Sequence, residues 1–486
     1  MQGLKDYQEK LFLDFRLSER VPRDNFYRRL KETLDLSHIR QMTKKYYGTE
    51  GQKSIDTVVF FKLMLIGYLE NINSDRKIIE HAGMRMDMLY FLGYDLDEPL
   101  PWHSTLSRTR KLFGEEVFLE LFCDILYKCV DKGMVSGKTQ AVDSAFIKAN
   151  ASMEGLVAPD FIDKSRHYFN QLTENEDENH KEKLRFNERF VSPADPDARV
   201  SQKRGKPSTL NHLGVISVDT ENHVICGAMV DFADKRDADT LPKIVGQTVD
   251  NLRPVGLTVD ELLADTGYSS GEAYNFLEKN NITAYIPPHG GYKPEREDFT
   301  YDEKEDCYIC RQGVKLPFRH IKREKNKNLL TKRYCTTVAD CKNCPLKKQC
   351  CKKQNYKQIE HSIDKPHYDK AYTLLSTRKG KHMMRLRKST VEPVLGTLLD
   401  FRRMKKVYTK GHDLAHKQLL MAATAYNLKK FMNFCSPKSV KIAAMAIKNT
   451  AMVLISAPLN QSLSFWERFF FGSNCKLQNI SIIHSK

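Results

Sequence analysis

The feature that most constrains the fold of this 486-residue chain is a change of hydrophobic pattern near residue 134. Over residues 22–134 apolar residues recur with a helical period, and the run SIDTVVFFKLMLIGYLENI offers candidate N-caps at Ser54 and Asp56. Beyond residue 134, short apolar runs and amphipathic segments follow in the order strand, hairpin of two strands, helix, strand, helix, strand. The sequence therefore predicts an all-α region followed by an α/β region.

The strands and helices of the α/β region can be assigned to particular segments. A short strand in KTQAVDSAFIKA is predicted to end near Asp143, and the runs LGVISVD and HVICGAMVDF predict a hairpin. An amphipathic helix is predicted at 237–252, a strand that stops at Asp265, a helix in GEAYNFLEKN and a strand in ITAYIPP. Two more helices are predicted in STVEPVLGTLLDFRRMKK and HKQLLMAATAYNLKKFMNF, while the charged segment 164–189 is expected to be an exposed linker or a solvated helix.

The charge balance indicates a polyanionic partner. The chain has 78 Lys and Arg against 61 Asp and Glu, a formal net charge of +17. Such an excess is typical of proteins that bind nucleic acid, although a basic enzyme without that role remains the alternative.

The N-terminus and the late apolar segment bear on localisation. The first residues, MQGLKDYQEKLFLDFRLSER, lack the apolar run of a signal peptide. Residues 451–459, AMVLISAPL, are too few to span a bilayer. We therefore expect a cytoplasmic protein without a membrane helix.

Three carboxylates are candidates for one metal site. Asp143 and Asp265 each follow a short apolar strand, and open α/β sheets bind ligands at the carboxyl ends of their strands. Two close carboxylates repel each other unless a cation such as Mg²⁺ or Mn²⁺ lies between them. Such a pair of ions suits phosphodiester cleavage or transfer. Each aspartate alone could instead be a turn or cap residue.

Glu392 has two interpretations. It follows Ser389 by three residues, as in a capping box at the start of a helix, and Pro393 would be tolerated in that first turn. It could equally supply the third carboxylate of the metal site. The second interpretation requires that its helix pack beside the two Asp-bearing strands.

Seven of the twelve cysteines fall between residues 307 and 351, which predicts a structural zinc site. Cys307 with Cys310 and Cys341 with Cys344 form two C-x2-C pairs, the pattern of a tetrahedral Zn²⁺ site. Three further cysteines are alternative ligands: Cys335, Cys350 and Cys351. Metal binding would stabilise a small charged segment that has little apolar area.

Three blocks of the sequence resemble the bacterial insertion-sequence DDE transposases: AVDSAFIKANAS, LLADTGYSSGEAY and STVEPVLGTLLDFRRMKKVYTKGHDLAHKQLLMAATAYNLKKF. The resemblance places Asp143, Asp265 and Glu392 on the acidic triad of that family. It implies an RNase H-like catalytic domain with two Mg²⁺ or Mn²⁺ ions, preceded by an all-α DNA-binding domain. It also implies double-stranded DNA as partner, both as terminal inverted repeats and as target, and a homo-oligomer on that DNA.

One departure from the family concerns basic residues near the glutamate. Relatives often carry Tyr, Arg and Lys at seven before, four before and seven after it, where this chain has Arg385, Lys388 and Leu399. A hairpin route of cleavage is therefore in doubt. Phosphate contacts are expected from Arg385, Lys388, Arg108, Arg110, Arg402, Arg403, Lys405, Lys406 and Lys410, with solvated helix faces as the alternative.

These predictions divide the chain into five parts. They are a helical DNA-binding domain (1–135), the first part of the catalytic core (136–288), a cysteine-rich, zinc-ribbon-like insertion (289–379), the core helices with Glu392 (380–436) and a tail (437–486). The predicted function is cleavage of DNA at element ends and strand transfer. The alternatives are a metal-dependent nuclease of the same fold and a zinc-containing DNA-binding protein without activity.

Overall fold

The computed structural model describes residues 15–48, 50, 54–157, 186–202, 205, 207–324 and 329–435. Most of the charged segment 164–189 and the tail from 436 onward, with its apolar run at 451–459, lie outside the described residues. The chain divides into one compact unit, Met1–Phe431, and a second, Met432–Lys486. Within the described ranges, no helix is long and apolar enough to cross a membrane.

The N-terminal region is helical, as predicted. Its helices are α1 (Leu17–Arg20), α2 (Phe26–Thr33), α3 (Ser37–Thr43), α4 (Thr57–Leu69), α5 (Asp75–Met84), α6 (Met86–Leu92), α7 (His103–Leu112) and α8 (Glu115–Asp131). Helix α4 is apolar on nearly all sides and is buried throughout except at Lys62, so it forms the centre of this region. The predicted cap Asp56 accepts a hydrogen bond from the Val58 N–H at 2.7 Å.

A mixed sheet follows the helices. Its strands are β1 (Thr139–Lys148), β2 (Arg199–Ser201), β3 (Thr209–Asp219), β4 (Ile225–Phe232), β5 (Glu261–Leu263) and β6 (Thr283–Tyr285). The order is β2-β3-β1-β5-β6, with β4 also paired to β3. Strand β3 is antiparallel to β1, β2 and β4, whereas β1, β5 and β6 are parallel. The hairpin β3–β4 and the helices α9 (Asp237–Leu252) and α10 (Gly271–Lys279) confirm the predicted elements.

Strand β1 is longer than predicted. It pairs with β3 continuously from Gln140 opposite Asp219 to Lys148 opposite Asn211. Asp143 therefore lies within the strand and not near its end. Pairing with the long strand β3 keeps residues 144–148 extended.

The cysteine-rich segment contains a second, antiparallel sheet. Its strands are β7 (Phe299–Asp302), β8 (Cys307–Cys310), β9 (Lys315–Glu324), β10 (Leu329–Cys335) and β11 (Gln358–Ser362), in the order β11-β10-β9-β8-β7. Two short helices, α11 (Val338–Lys342) and α12 (Lys347–Cys350), lie between β10 and β11. The buried core is small: Tyr308, Leu316, Tyr334 and Ile359.

Three helices complete the described chain: α13 (Lys365–Ser376), α14 (Arg378–Phe401) and α15 (His412–Phe434). The prediction that a helix starts at Ser389 is wrong, because α14 begins eleven residues earlier. Thr377 is its N-cap and accepts a hydrogen bond from the Gly380 N–H at 2.9 Å. The Ser389 hydroxyl instead donates to the Leu386 carbonyl at 3.0 Å, and Pro393 lies inside the helix.

Candidate functional site

Two carboxylates come together at the centre of the mixed sheet. Strands β1 and β5 are parallel and in register at Ala141 and Leu263, so Asp143 and Asp265 follow at the same level two residues later. Burial raises the pKa of Asp143 to about 6, and the charge of Asp265 acts in the same direction. The Ser144 N–H, which donates to Asp143 at 2.8 Å, opposes that rise, as does Arg387. The structure therefore brings the two predicted aspartates near each other.

Helix α14 brings the third predicted carboxylate to the same place. The Arg387 guanidinium donates to Asp143 Oδ2 at 3.2 Å and to Glu392 Oε1 at 3.1 Å. The side chains of Arg387, Asp143 and Glu392 are 8%, 18% and 53% exposed, so a mostly buried cation joins a mostly buried carboxylate to an accessible one. Arg387 thus links the strand that carries Asp143 to the helix that carries Glu392.

Packing of α14, and not a helix cap, fixes the position of Glu392. Thr390, Val391 and Val394 are buried on the face of α14 that packs near β1, whereas Glu392 is exposed. The capping interpretation is excluded, because Glu392 lies in the fourth turn of the helix. Sequence reasoning missed Arg387, since its contact with Asp143 spans 244 residues and no local pattern indicates it.

Five of the cysteines line one cavity of about 240 Å³ in the insertion: Cys310, Cys341, Cys344, Cys350 and Cys351. Burial, together with contacts to Cys341 and Cys350, raises the pKa of the Cys351 thiol to about 12. The Cys341 sulfur also lies 3.2 Å from the Thr336 hydroxyl. The cavity thus gathers thiols from strand β8, from α11 and α12, and from the residues that follow these helices.

Cys307 lies elsewhere. It is three residues before Cys310 on the same strand, so the two side chains point to opposite faces. The ligand atoms of Cys307, Asp302 and Glu305 lie within 4.8 Å of one another. Cys335, the other alternative ligand, ends β10 and is not among the residues that line the cavity. The predicted pairing of Cys307 with Cys310 on one ion therefore does not match the geometry.

The predicted DNA contacts fall into two groups. The exposed residues are Arg108 on α7, Arg385 and Lys388 on α14, and Lys405 and Lys410 in the loop before α15, with Lys406 half-buried. Arg385, Lys388 and Glu392 are three and four residues apart, so they lie along one face of α14. The accessible carboxylate therefore has accessible cations beside it.

The other three arginines are buried and serve the fold. Arg110 is 8% exposed and pairs with Asp75 at 2.8 Å. Arg402 and Arg403 are 5% exposed and donate to backbone carbonyls of the N-terminal region, Arg403 to Asn73 at 3.1 Å. Because these three side chains are buried, the structure does not present them at the surface as the predicted phosphate contacts require.

Comparisons with known proteins bear on the family. A model described as "Transposase domain (DUF772)" matches residues 15–112, and one described as "Transposase DDE domain" matches residues 309–432, which include Glu392. No curated protein matches the chain significantly.

Two solved structures are among those with detectable similarity. One is a synaptic complex of piggyBac transposase with hairpin DNA, at 10% identity, covering 91% of this chain and 82% of that chain with a TM-score of 0.30. The other is the Mos1 transposase paired-end complex with the left transposon end, at 11% identity, covering 51% of this chain and 63% of that chain with a TM-score of 0.16. At these TM-scores neither similarity adds to the assignment of the fold.

The assignment rests on the two matched domains. One domain covers most of the N-terminal helices, and the other runs from the insertion through α14 and most of α15. The chain therefore carries a transposase domain and a transposase DDE domain, and these two matches support an insertion-sequence DDE transposase, an enzyme that cleaves and moves DNA.

Proposed function

We propose that Asp143, Asp265 and Glu392 are the catalytic acids of this transposase and that they act on DNA at the ends of its element. The observation that carries the proposal is their convergence from β1, from the end of β5 and from α14, with Arg387 between two of them. Residues separated by more than 100 positions in sequence are thereby linked, Asp143 to Asp265 through adjacent parallel strands and Asp143 to Glu392 through Arg387. A purely structural role for all three would not require this meeting.

The strand arrangement supports an RNase H-like fold for the catalytic core. Three antiparallel strands, β4, β3 and β1, continue into the parallel strands β5 and β6, and α9 packs on β4 and β3. We also propose the division into domains that the sequence predicts. Helix α8 ends at Asp131 before β1 begins, and the second sheet lies wholly within residues 289–379.

The carboxylates fit Mg²⁺ or Mn²⁺. All three side chains offer oxygen atoms, the ligands that these ions prefer. Arg387 already interacts with two of the carboxylates, so the place accommodates positive charge. When bound, two such ions would activate the attacking water or 3′-hydroxyl and stabilise the leaving oxygen.

The protein's own groups position these acids and the DNA. Arg387 holds Asp143 and Glu392 at a fixed spacing, and packing of α14 keeps Glu392 directed outward. Arg385 and Lys388 are placed to neutralise backbone phosphates beside Glu392. We propose double-stranded element ends and target DNA as substrates, a homo-oligomer as the active form and the bacterial cytoplasm as the location.

We also propose a structural Zn²⁺ in the cavity of the insertion. Cys310, Cys341 and Cys344 would be ligands, with Cys350 or Cys351 as the fourth. This set keeps three of the four ligands expected from the sequence and replaces Cys307. The small hydrophobic core of this sheet supports a need for such stabilisation.

The test compares wild type with Asp265→Ala on DNA that carries candidate element ends, in the presence of Mg²⁺. Wild type should cut the ends and join them to target DNA, whereas Asp265→Ala should bind the ends without cutting. Asp413→Ala, which removes an 84% exposed carboxylate on α15, is the matched control and should behave as wild type.

Three outcomes would count against the proposal. Cutting without joining would favour the nuclease, and binding without Mg²⁺-dependent cutting by wild type would remove both enzymatic functions. Equal cutting by Asp265→Ala and wild type would show that the acids are assigned wrongly.

A further inference from the structure

A fourth carboxylate lies beside the proposed catalytic acids. Asp237 is the first residue of α9, the helix that follows the β3–β4 hairpin. Its Oδ1 accepts a hydrogen bond of 2.6 Å from the hydroxyl of Ser144, the neighbour of Asp143 in β1. The sequence analysis treated Asp237 only as the beginning of a helix, since nothing local distinguishes it from a first-turn acid there.

Gly267 shows how close Asp237 comes to Asp265. A Cβ atom at position 267 would lie 2.7 Å from Asp237 Oδ2 and 3.0 Å from Asp265 Oδ1. These two carboxylate oxygens are therefore at most 5.7 Å apart, the sum of the two distances. A Cβ atom at this position would collide with Asp237 Oδ2 and be tight against Asp265 Oδ1, so glycine leaves the space in which two carboxylates from different elements approach each other.

Tyr268 supplies a second observation at the same place. Burial, and then the charges of Asp237 and Asp143, hold its pKa well above the usual range, with a smaller contribution from Asp265. Its ring is fully buried, and its hydroxyl has no hydrogen bond of good geometry in the described part of the chain, although Ser144 is near enough to act on its pKa. The protonated Tyr268 hydroxyl thus has no well-aligned hydrogen-bond acceptor in the described part of the chain, and it lies near Asp143, Asp237 and Asp265.

We infer that Asp237 is a fourth carboxylate of the divalent-cation site, positioned by Ser144 and Gly267; the inference rests on the proposed function. Charge supports it. The three proposed catalytic acids and Arg387 together carry two negative charges, and Asp237 makes that three, whereas two divalent ions carry four positive charges. Asp237 therefore brings the net charge of the site with two bound ions closer to zero, which favours cation binding where the site is partly buried.

The experiment measures Mn²⁺ binding directly, by calorimetry on the full chain without DNA. Asp237→Asn keeps the size of the side chain and an acceptor for Ser144 but removes the charge. Changes around a metal site typically lower metal affinity 10- to 100-fold, and we expect a loss of about that size. The Mg²⁺ concentration for half-maximal cleavage should rise in parallel, while DNA binding in EDTA should stay unchanged.

The control is Asp239→Asn, two residues along the same helix, where the carboxylate pairs with Arg236 at 2.9 Å. It should bind Mn²⁺ as wild type does. Gly267→Ala is a second variant, which leaves all carboxylates present but displaces two of them. It should also weaken Mn²⁺ binding.

The outcomes separate this inference from the proposed function. If Asp265→Asn abolishes Mn²⁺ binding while Asp237→Asn leaves it unchanged, the proposed site stands and the role of Asp237 is refuted. If neither variant changes Mn²⁺ binding, the proposed site itself is wrong. An equal loss in Asp239→Asn would mean a general effect of charge and would also overturn the inference.

Discussion

Arg387 allows a quantitative test of the arrangement of the acids. Its guanidinium joins Asp143 to Glu392, and its side chain is only 8% exposed. Arg387→Met keeps the aliphatic stem and removes the charge, so the mostly buried Asp143 carboxylate loses its cation. Without its cation, the Asp143 carboxylate can take up a proton instead. The free energy of that protonation is therefore the upper limit of the electrostatic part of the lost folding stability.

The size of this effect depends on pH. With its pKa raised to about 6, protonating Asp143 costs about 2.7 kcal/mol at pH 8, at about 1.36 kcal/mol per pH unit. At pH 6 the cost is only about 0.4 kcal/mol, because half of the Asp143 carboxyl groups already carry the proton. Loss of Arg387 raises the pKa further, so the destabilisation grows as the pH rises. Arg387→Met should therefore lower the free energy of unfolding by up to about 2 kcal/mol more at pH 8 than at pH 6.

Urea unfolding in EDTA at the two pH values measures this difference. Arg385→Met, two residues earlier on α14 and exposed, is the matched control and should change stability by less than about 0.5 kcal/mol at either pH. A loss of equal size at pH 6 and pH 8, or no loss at pH 8, would refute the electrostatic reasoning and leave Arg387 as a packing residue only.

Three further predictions concern the insertion and α14. Cys344→Ser should abolish the bound zinc measured by mass spectrometry, whereas Cys307→Ser should keep it; the reverse would restore the ligand set expected from sequence. Burial lowers the pKa of His361 to about 4. The contribution of His361 to folding stability is therefore complete above about pH 6.5 and is lost as the pH falls through 4. That contribution is roughly 2 kcal/mol, because the group is partly exposed. His361→Gln should flatten the pH dependence of the melting temperature in that window, and an unchanged slope would count against it. Thr377→Ala should destabilise by about 1 kcal/mol in urea unfolding and Ser389→Ala by much less; equal effects would argue against a helix that starts at Arg378.

The alternation of strands and helices could be predicted from the sequence, because the buried runs of β3, β4 and β5 are apolar and are separated by turns. Asp143 and Asp265 could be nominated for the same reason, since each follows an apolar run. The length of β1 could not be predicted. It depends on pairing with β3, about 70 residues away in sequence, which keeps residues 144–148 extended.

The second sheet was not predicted. Most residues of β9 are exposed and half of them are charged, and the small core of the sheet consists of a few aromatic and aliphatic residues. A strand with polar residues on both faces has no clear period of two. The start of α14 was missed because the charged run RKGKHMMRLRK has a weak apolar pattern, while STVE matches a capping box by chance. The contacts of Arg387 and Asp237 depend on tertiary structure alone.

The most direct test of the central claim is the location of bound Mn²⁺ in crystals of the protein, measured by anomalous scattering. The account predicts anomalous density between the carboxylates of Asp143, Asp265 and Glu392, and loss of that density in Asp265→Asn. Density confined to other positions, or density that persists unchanged in Asp265→Asn, would contradict the assignment of these three residues as the catalytic acids.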